Sequence, residues 1–341
     1  MADYHIIIAD ENGVALGELS HHKGLQCGSV LNGYGQCTFG VPVTDTKLAS
    51  LTALRRYQTQ VWRDGKKIWA GEQAFRRGGL VKDSTNLVNI ISFEWFEQLS
   101  ARYTGAVRTF AATDAGTIAA TLIAESQALT NGDLGITEGT IVASKPRDRT
   151  YKNQNIMDAI VNLSKVASGF DFEITPDKVF NVYFPKGTDR SLTDGIFEYG
   201  VNVGEVPTIV EDFAQPCNEA LVLSTGYGSG DLRRSVVDST SQAIIKLRQQ
   251  AIALQDVTVA DTMDDYGNDL TRRQKQPLVS LEFVQVPGTE PTFGSIDLGD
   301  TVQIRVRHGI YNIVNAFRVY GWDLSLDQDG RESVKYTVGL Q

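Results

Sequence analysis

Cysteine is scarce. Only Cys27, Cys37 and Cys217 occur in 341 residues. An odd number with no CxxC spacing excludes a disulfide framework and a zinc box, so reduced thiols packed as small apolar groups are expected. Histidine is almost as rare. His5, His21, His22 and His308 are the four, and none falls in a zinc-ligand spacing. His21-His22 with Cys27 makes an awkward ligand set, because neighbours on a strand point to opposite faces. No apolar run approaches the ~18 residues needed to cross a bilayer. Residues 1–10 carry acids and a short apolar run, which is not a signal peptide. Basic charge is in deficit, 32 Lys and Arg against 41 Asp and Glu, for a net charge of −9. That opposes sequence-independent DNA binding, which needs cations at the phosphates. A chain made and folded in a cytoplasm is expected, with no metal, no other cofactor and no stable membrane insertion.

What is present is material for β-rich cores. The apolar fraction is 42% and the charged fraction 21%, a balance that excludes disorder, and the length sets a prior of ~2 domains. Val302, Ile304 and Val306 alternate with Thr301, Gln303, Arg305 and Arg307, and Val334, Tyr336, Val338 and Leu340 alternate with Ser333, Lys335 and Thr337. Strict period two marks antiparallel strands with one dry face.

Residues 1–105 read as a small β-barrel or sandwich. Residues 4–9 form an apolar run before a turn. Asp64-Gly65, between Val61-Trp62-Arg63 and Lys66-Lys67-Ile68-Trp69, predicts a tight type I′ hairpin. Trp95, Phe96, Leu99 and Tyr103 fit a short helix covering the barrel's open end. Residues 106–190 read as a small inserted α/β module. Asp114 caps a helix to Leu129 with Ile118, Leu122 and Glu125 in one row, and Asn131-Gly132 stops it. Asn153 caps a second, with Ile156, Ile160, Leu163 and Ala167, ended by Gly169. A hairpin then turns at Pro176-Asp177. Residues 191–240 and 278–341 read as a second β-barrel, with strands at 195–200 and 220–224. Residues 241–277 are a helical insertion, in which Thr258 and Asp261 make a capping box, Val259, Met263, Tyr266 and Leu270 a stripe, and Pro277 a stop. The fold class is α+β, β-rich: two tandem antiparallel β-barrels with an inserted α/β module and a helical insertion.

No motif carries chemistry. Gly226-Tyr227-Gly228-Ser229-Gly230 is neither a dinucleotide fingerprint nor a nucleophile elbow, and reads as a connection between strands. Asp323, Asp327 and Asp329-Gly330 have the wrong spacing for an EF-hand and read as a hairpin turn. Asp264-Asp265 and Glu94 with Glu97 could be recruited as glycosidase carboxylates, but such pairs must face across a cleft. Trp62, Trp69, Trp95 and Trp322 are better explained by core packing than by sugar stacking. No catalytic, cofactor-binding or metal-binding residue is assigned, the chain is expected not to be an enzyme, and interface residues are not singled out.

Several stretches carry a resemblance. Arg63-Asp64-Gly65-Lys66-Lys67-Ile68-Trp69-Ala70-Gly71-Glu72 resembles a first-barrel hairpin, and Ser92-Phe93-Glu94-Trp95-Phe96-Glu97-Gln98-Leu99-Ser100-Ala101-Arg102-Tyr103 a barrel exit. Gly169-Phe170-Asp171-Phe172-Glu173-Ile174 resembles the hairpin of an inserted domain. Leu298-Gly299-Asp300-Thr301-Val302, with the stretch from Arg318-Val319 to Asp329-Gly330, resembles the end of a second barrel. In this order they resemble the tail hub proteins of tailed bacteriophages, at the tail tip or baseplate, and are similar to hubs of contractile injection systems. The resemblance implies two tandem barrels per subunit and a homotrimer, so that three chains present six barrels to a sixfold tail tube. It implies a channel for the tape measure protein and then DNA, without sequence-specific binding. The implied partners are a distal tail or tail tube protein, the tape measure, and tip, spike or receptor-binding proteins. The implied location is the virion, assembled in the host cytoplasm. Two other readings stand beside it: the distal tail protein, a hexameric ring, and a cell-wall glycan-binding or glycan-hydrolysing protein.

Overall fold

The computed structural model describes residues 2–47, 57–78, 86–166, 168–214, 216–224, 233–254, 260–275, 278–327 and 329–340. Its N-terminal part is a run of strands: β1 (Tyr4–Ala9), β2 (Ala15–Glu18), β3 (Lys23–Val30), β4 (Gln36–Pro42), β5 (Gln58–Arg63), β6 (Lys66–Gly78) and β7 (Leu87–Glu94). β5 and β6 meet at the expected turn, where Asp64 has φ 49° and Gly65 φ 75°. Both positive angles are what a type I′ hairpin requires. β7 runs into a 3-10 helix, Trp95–Ala101, which buries Trp95, Phe96, Gln98 and Leu99. Trp95, Phe96 and Leu99 are buried as expected, but the helix is 3-10 rather than α and ends at Ala101, so Tyr103 lies beyond it and is largely exposed.

The inserted module follows: β8 (Arg108–Asp114), α1 (Ala115–Gln127), β9 (Thr137–Ile141), β10 (Pro146–Tyr151), α2 (Ile156–Lys165), β11 (Asp171–Ile174) and β12 (Val179–Tyr183). Asp114 caps α1 as expected, accepting from Thr117 N at 3.1 Å, and its second oxygen accepts from Ser144 N at 2.6 Å. Asp114→Ala should therefore cost somewhat more than the usual ~1 kcal/mol of a lost cap, since Ser144 also loses its acceptor. The midpoint of chemical denaturation reads this directly. Leu129, expected on the buried row, falls after α1 and is exposed. Asn155, not Asn153, caps α2, accepting from Asp158 N at 3.1 Å. Asn153 sits instead in the left-handed region at φ 49°. Ala167 lies outside the described residues. β9 pairs parallel to β12, completing a three-stranded sheet against which Phe170, Phe172, Phe180, Ile118 and Ile160 share one core.

The chain then gives β13 (Ile196–Glu198), β14 (Thr208–Asp212), β15 (Glu219–Ser224), β16 (Arg233–Val237), α3 (Ser239–Ile245), β17 (Gln249–Leu254), α4 (Ala260–Gln274), β18 (Leu278–Gln285), β19 (Thr301–His308), β20 (Tyr311–Leu326) and β21 (Glu332–Gly339). Two expectations change here. The strand at 220–224, expected beside the closing strands, pairs instead with β16 and β17 in a separate sheet. Ala220 and Val222 point to α4, where Met263 and Leu270 complete a small core with Cys217. The stretch 241–277, expected to be helical, contains β17, which lies parallel to β15. A parallel neighbour needs a crossover connection, and α3 lies within it. Thr258, Val259, Pro277 and the loop at 226–231 lie outside the described residues.

The strands of the two ends join one 13-stranded sheet, in the order β14-β18-β21-β20-β3-β4-β7-β6-β5-β1-β2, with β19 paired to β20 and β13 to β19. The splice is β20 against β3, where Gly321 to Ser325 pair with Val30 to Gln26. One core runs beneath it, from Ile6, Ile8, Val61 and Trp69 at one end to Phe197, Val302, Ile304, Tyr336 and Val338 at the other. Each such fully buried side chain contributes roughly 1.5–3 kcal/mol. The molecule is thus β-rich with a large, mainly antiparallel sheet.

Candidate assembly surface

An ionic seam holds the inserted module to the large sheet. Asp171 on β11 is its centre. Its Oδ1 accepts from Asn32 Nδ2 at 2.8 Å, and its Oδ2 from Lys186 N at 2.8 Å and from the guanidinium of Arg318 on β20. Arg318 also donates to Gly299 O at 3.2 Å and Lys186 O at 2.9 Å. Asn32 returns the contact by accepting from Phe172 N at 2.8 Å. The Lys186 ammonium pairs with Glu173 and, at 3.2 Å, with Asp297. Burial pushes the Lys186 pKa down, but those two carboxylates outweigh it and hold the group above the usual lysine value. Asp300 closes the loop, accepting from Thr188 N at 2.7 Å and Arg190 Nε at 3.1 Å. Every member is satisfied by another, the condition under which buried charge stabilises a single geometry.

Glu94 sits at the end of β7 and accepts from Gly35 N. Its side chain keeps some surface exposure, yet the protein packed around its carboxyl raises its pKa to about 7, against the lowering effect of the Gly35 and Ser29 hydrogen bonds. A carboxyl whose folded pKa exceeds its unfolded value favours folding most when protonated. That contribution is full below about pH 4.5, the ordinary value, and is lost as pH rises through about 7. Glu94→Gln should flatten the melting temperature between pH 4.5 and 7, measured by thermal scans across that range.

The residues singled out as candidates for chemistry are dispersed. His21 and His22 lie in the turn before β3, not on a strand, and the three cysteines are buried free thiols. Among the described residues no group of three His, Cys, Asp or Glu could hold a metal ion. Asp264 pairs with Arg234 and Asp265 with Lys145. Glu97 accepts from Ser100 at 3.0 Å, away from Glu94's partner. Asp327 accepts from the backbone N–H of Asp329 and Arg331, at 2.9 and 2.8 Å, and so builds the hairpin turn. A cavity of about 410 Å³ lies between the first strands and the module, lined by Gln58, Gln60, Glu72, Trp95, Gln98 and Asp177 among others. Trp95 lines it but is 1% exposed, donates to Pro176 O at 3.3 Å and carries Lys178 4.5 Å over its ring. No ring face is left there for a sugar.

What the surface offers is edges. Among the described residues β14 is paired with β18 alone; it exposes Val210 and Glu211, and Glu205, Val206 and Phe213 are exposed just outside its ends. β19 and β20 run out into a hairpin whose tip carries Ile310, 90% exposed. β21 reaches along β20 only to Arg318, so no described strand covers the outer edge of residues 311–317. Sequence reasoning placed a strand at 302–306 but none at 208–212, and it found neither edge, because an edge is defined by a missing neighbour.

No known family matches the sequence, and no curated protein does. Solved structures do match. The chain is similar to the 43 kDa tail protein of prophage MuSo2 from Shewanella oneidensis, with a TM-score of 0.70, 13% identity and 98% of each chain covered. It is similar to the tail protein from Neisseria meningitidis MC58, with a TM-score of 0.68, 14% identity, and 99% of this chain and 97% of that one covered. The prophage tail protein gp18 from Listeria monocytogenes EGD-e gives a TM-score of 0.65 at 13% identity, covering 99% and 94%. From end to end, the chain has the fold of phage tail proteins.

Proposed function

We propose that the chain is a non-enzymatic structural hub of a phage tail tip or baseplate. The observation that carries this is the likeness to prophage tail proteins over nearly the whole of both chains. In this reading the two halves of the 13-stranded sheet each curl into a barrel, spliced by β20 and β3. Three chains form a ring of six barrels that meets the sixfold tube on one side and a threefold tip on the other. The ring surrounds a channel for the tape measure protein and DNA. The net charge of −9 suits a wall that phosphate must pass without sticking. Its partners are the tail tube or distal tail protein, the tape measure, and tip, spike or receptor-binding proteins, in a virion assembled in the host cytoplasm. Mass in solution and labelled imaging of particles test it. A trimer located at the tail tip is expected. A hexameric ring would favour the distal tail reading, and a monomer absent from particles would overturn both.

A further inference from the structure

We infer that the β19–β20 hairpin of one copy docks on the open edge of β14 of a second copy of this chain, and that this contact is the subunit interface of the assembly. The inference rests on the multimeric reading above and names its surface. Three observations carry it. Both elements are open β-edges among the described residues, with backbone donors and acceptors that lack a strand neighbour; such edges are templates for pairing with another chain. Both carry exposed apolar side chains: Ile310 and Val314 at the hairpin, Val210 on β14, and Val206 and Phe213 just outside its ends. Single exposed apolar residues are ordinary, but two clusters at unpaired edges are the mark of an interaction surface.

The charges are complementary. Arg307 is exposed on the hairpin, and Glu205 and Glu211 on the β14 side, and none of the three has an ion pair among the described residues. Other charged residues near these edges are already engaged, Arg305 with Glu198 and Lys335 with Glu282 and Asp323. The unpaired charges of opposite sign can answer each other across a boundary between copies. Because the two surfaces differ, the contact is heterologous and generates a closed ring when its rotation permits.

The test uses the full chain and sedimentation over a range of concentrations. Arg307→Glu, and separately Glu211→Arg, should each raise the concentration of half-assembly by about tenfold or more. Both residues are exposed, so neither change enters the core. Arg307→Glu combined with Glu211→Arg should restore assembly to near the original concentration. In a second arm, Val210→Cys with Val314→Cys should give cross-linked trimers on mild oxidation, over a background kept low by the burial of Cys27, Cys37 and Cys217. A chain that forms trimers unaffected by either reversal keeps the assembly reading and overturns this interface. A dimer sensitive to both reversals and rescued by the pair keeps the surface and overturns the ring. A monomer at every concentration overturns both.

Discussion

Arg318→Ala should destabilise the folded chain by about 3–5 kcal/mol, the range for removing one partner of a buried ion pair. Arg318 and Asp171 have side-chain exposures of only 11% and 9%. Truncation leaves the Asp171 carboxylate with two neutral donors and no cation, and strips Gly299 and Lys186 of a donor to their carbonyls. Arg318→Lys should recover only part of the loss. A guanidinium donates in a fixed fork, and one ammonium cannot reach three acceptors set in different directions. Denaturant unfolding gives the size of the effect. Limited proteolysis gives its place: cleavage should appear first around residues 184–190, where the module's chain returns to the sheet. An Arg318→Ala protein with an unchanged midpoint would mean the seam holds nothing.

Gly35→Ala should cost at least ~3 kcal/mol, the upper end for overpacking. A Cβ at this position would lie 1.7 Å from Gly28 O and 2.8 Å from Ser29 Cα. Both are backbone atoms of β3, so no side-chain rotation relieves the clash. Gly35 also exchanges hydrogen bonds with Glu94, donating to its carboxylate and accepting from its amide at 3.1 Å. Moving the β3–β4 turn would therefore disturb the end of β7 and the 3-10 helix after it. Trp69 lies in the same layer, fully buried, its Nε1 donating to Gly28 O at 2.9 Å. A fall in the melting temperature and a shift in tryptophan fluorescence should appear together.

Much of the local structure was legible because local chemistry fixes it. Asp64-Gly65 takes the positive φ angles of its turn, Asp114 caps its helix, and Phe170 to Phe184 fold back through Pro176-Asp177 as β11 and β12. Asn153 and Asn155 show the limit. Both residue types suit a cap or a left-handed turn, and two positions separate the roles. What was not legible is partnership. Nothing in Glu219 to Ser224 says that it pairs with Gln249 to Leu254 rather than with the closing strands, because a buried strand carries the same apolar run whatever lies beside it. The seam was hidden for the same reason. Asp171 and Arg318 are 147 residues apart, and although each stands in a stretch that carries the resemblance, nothing in either stretch says that the two meet. The candidate interface had no sequence signal beyond Ile310 in the stretch that follows an alternating strand.

The splice between β3 and β20 also sets a schedule. Gln26 finds its partner in Ser325 and Val30 in Gly321, so on the ribosome β3 must wait with one edge bare until almost three hundred further residues have been made. Strand pairing over such a separation is slow, since the loop must close before any contact rewards it. An uncovered strand with Leu25 and Cys27 on its face is the kind of intermediate that aggregates or recruits a chaperone. In the proposed ring, the same delay would impose an order on assembly. The continuous sheet cannot exist until nearly the whole chain does, so an unfinished chain would have no completed surface to offer a second copy.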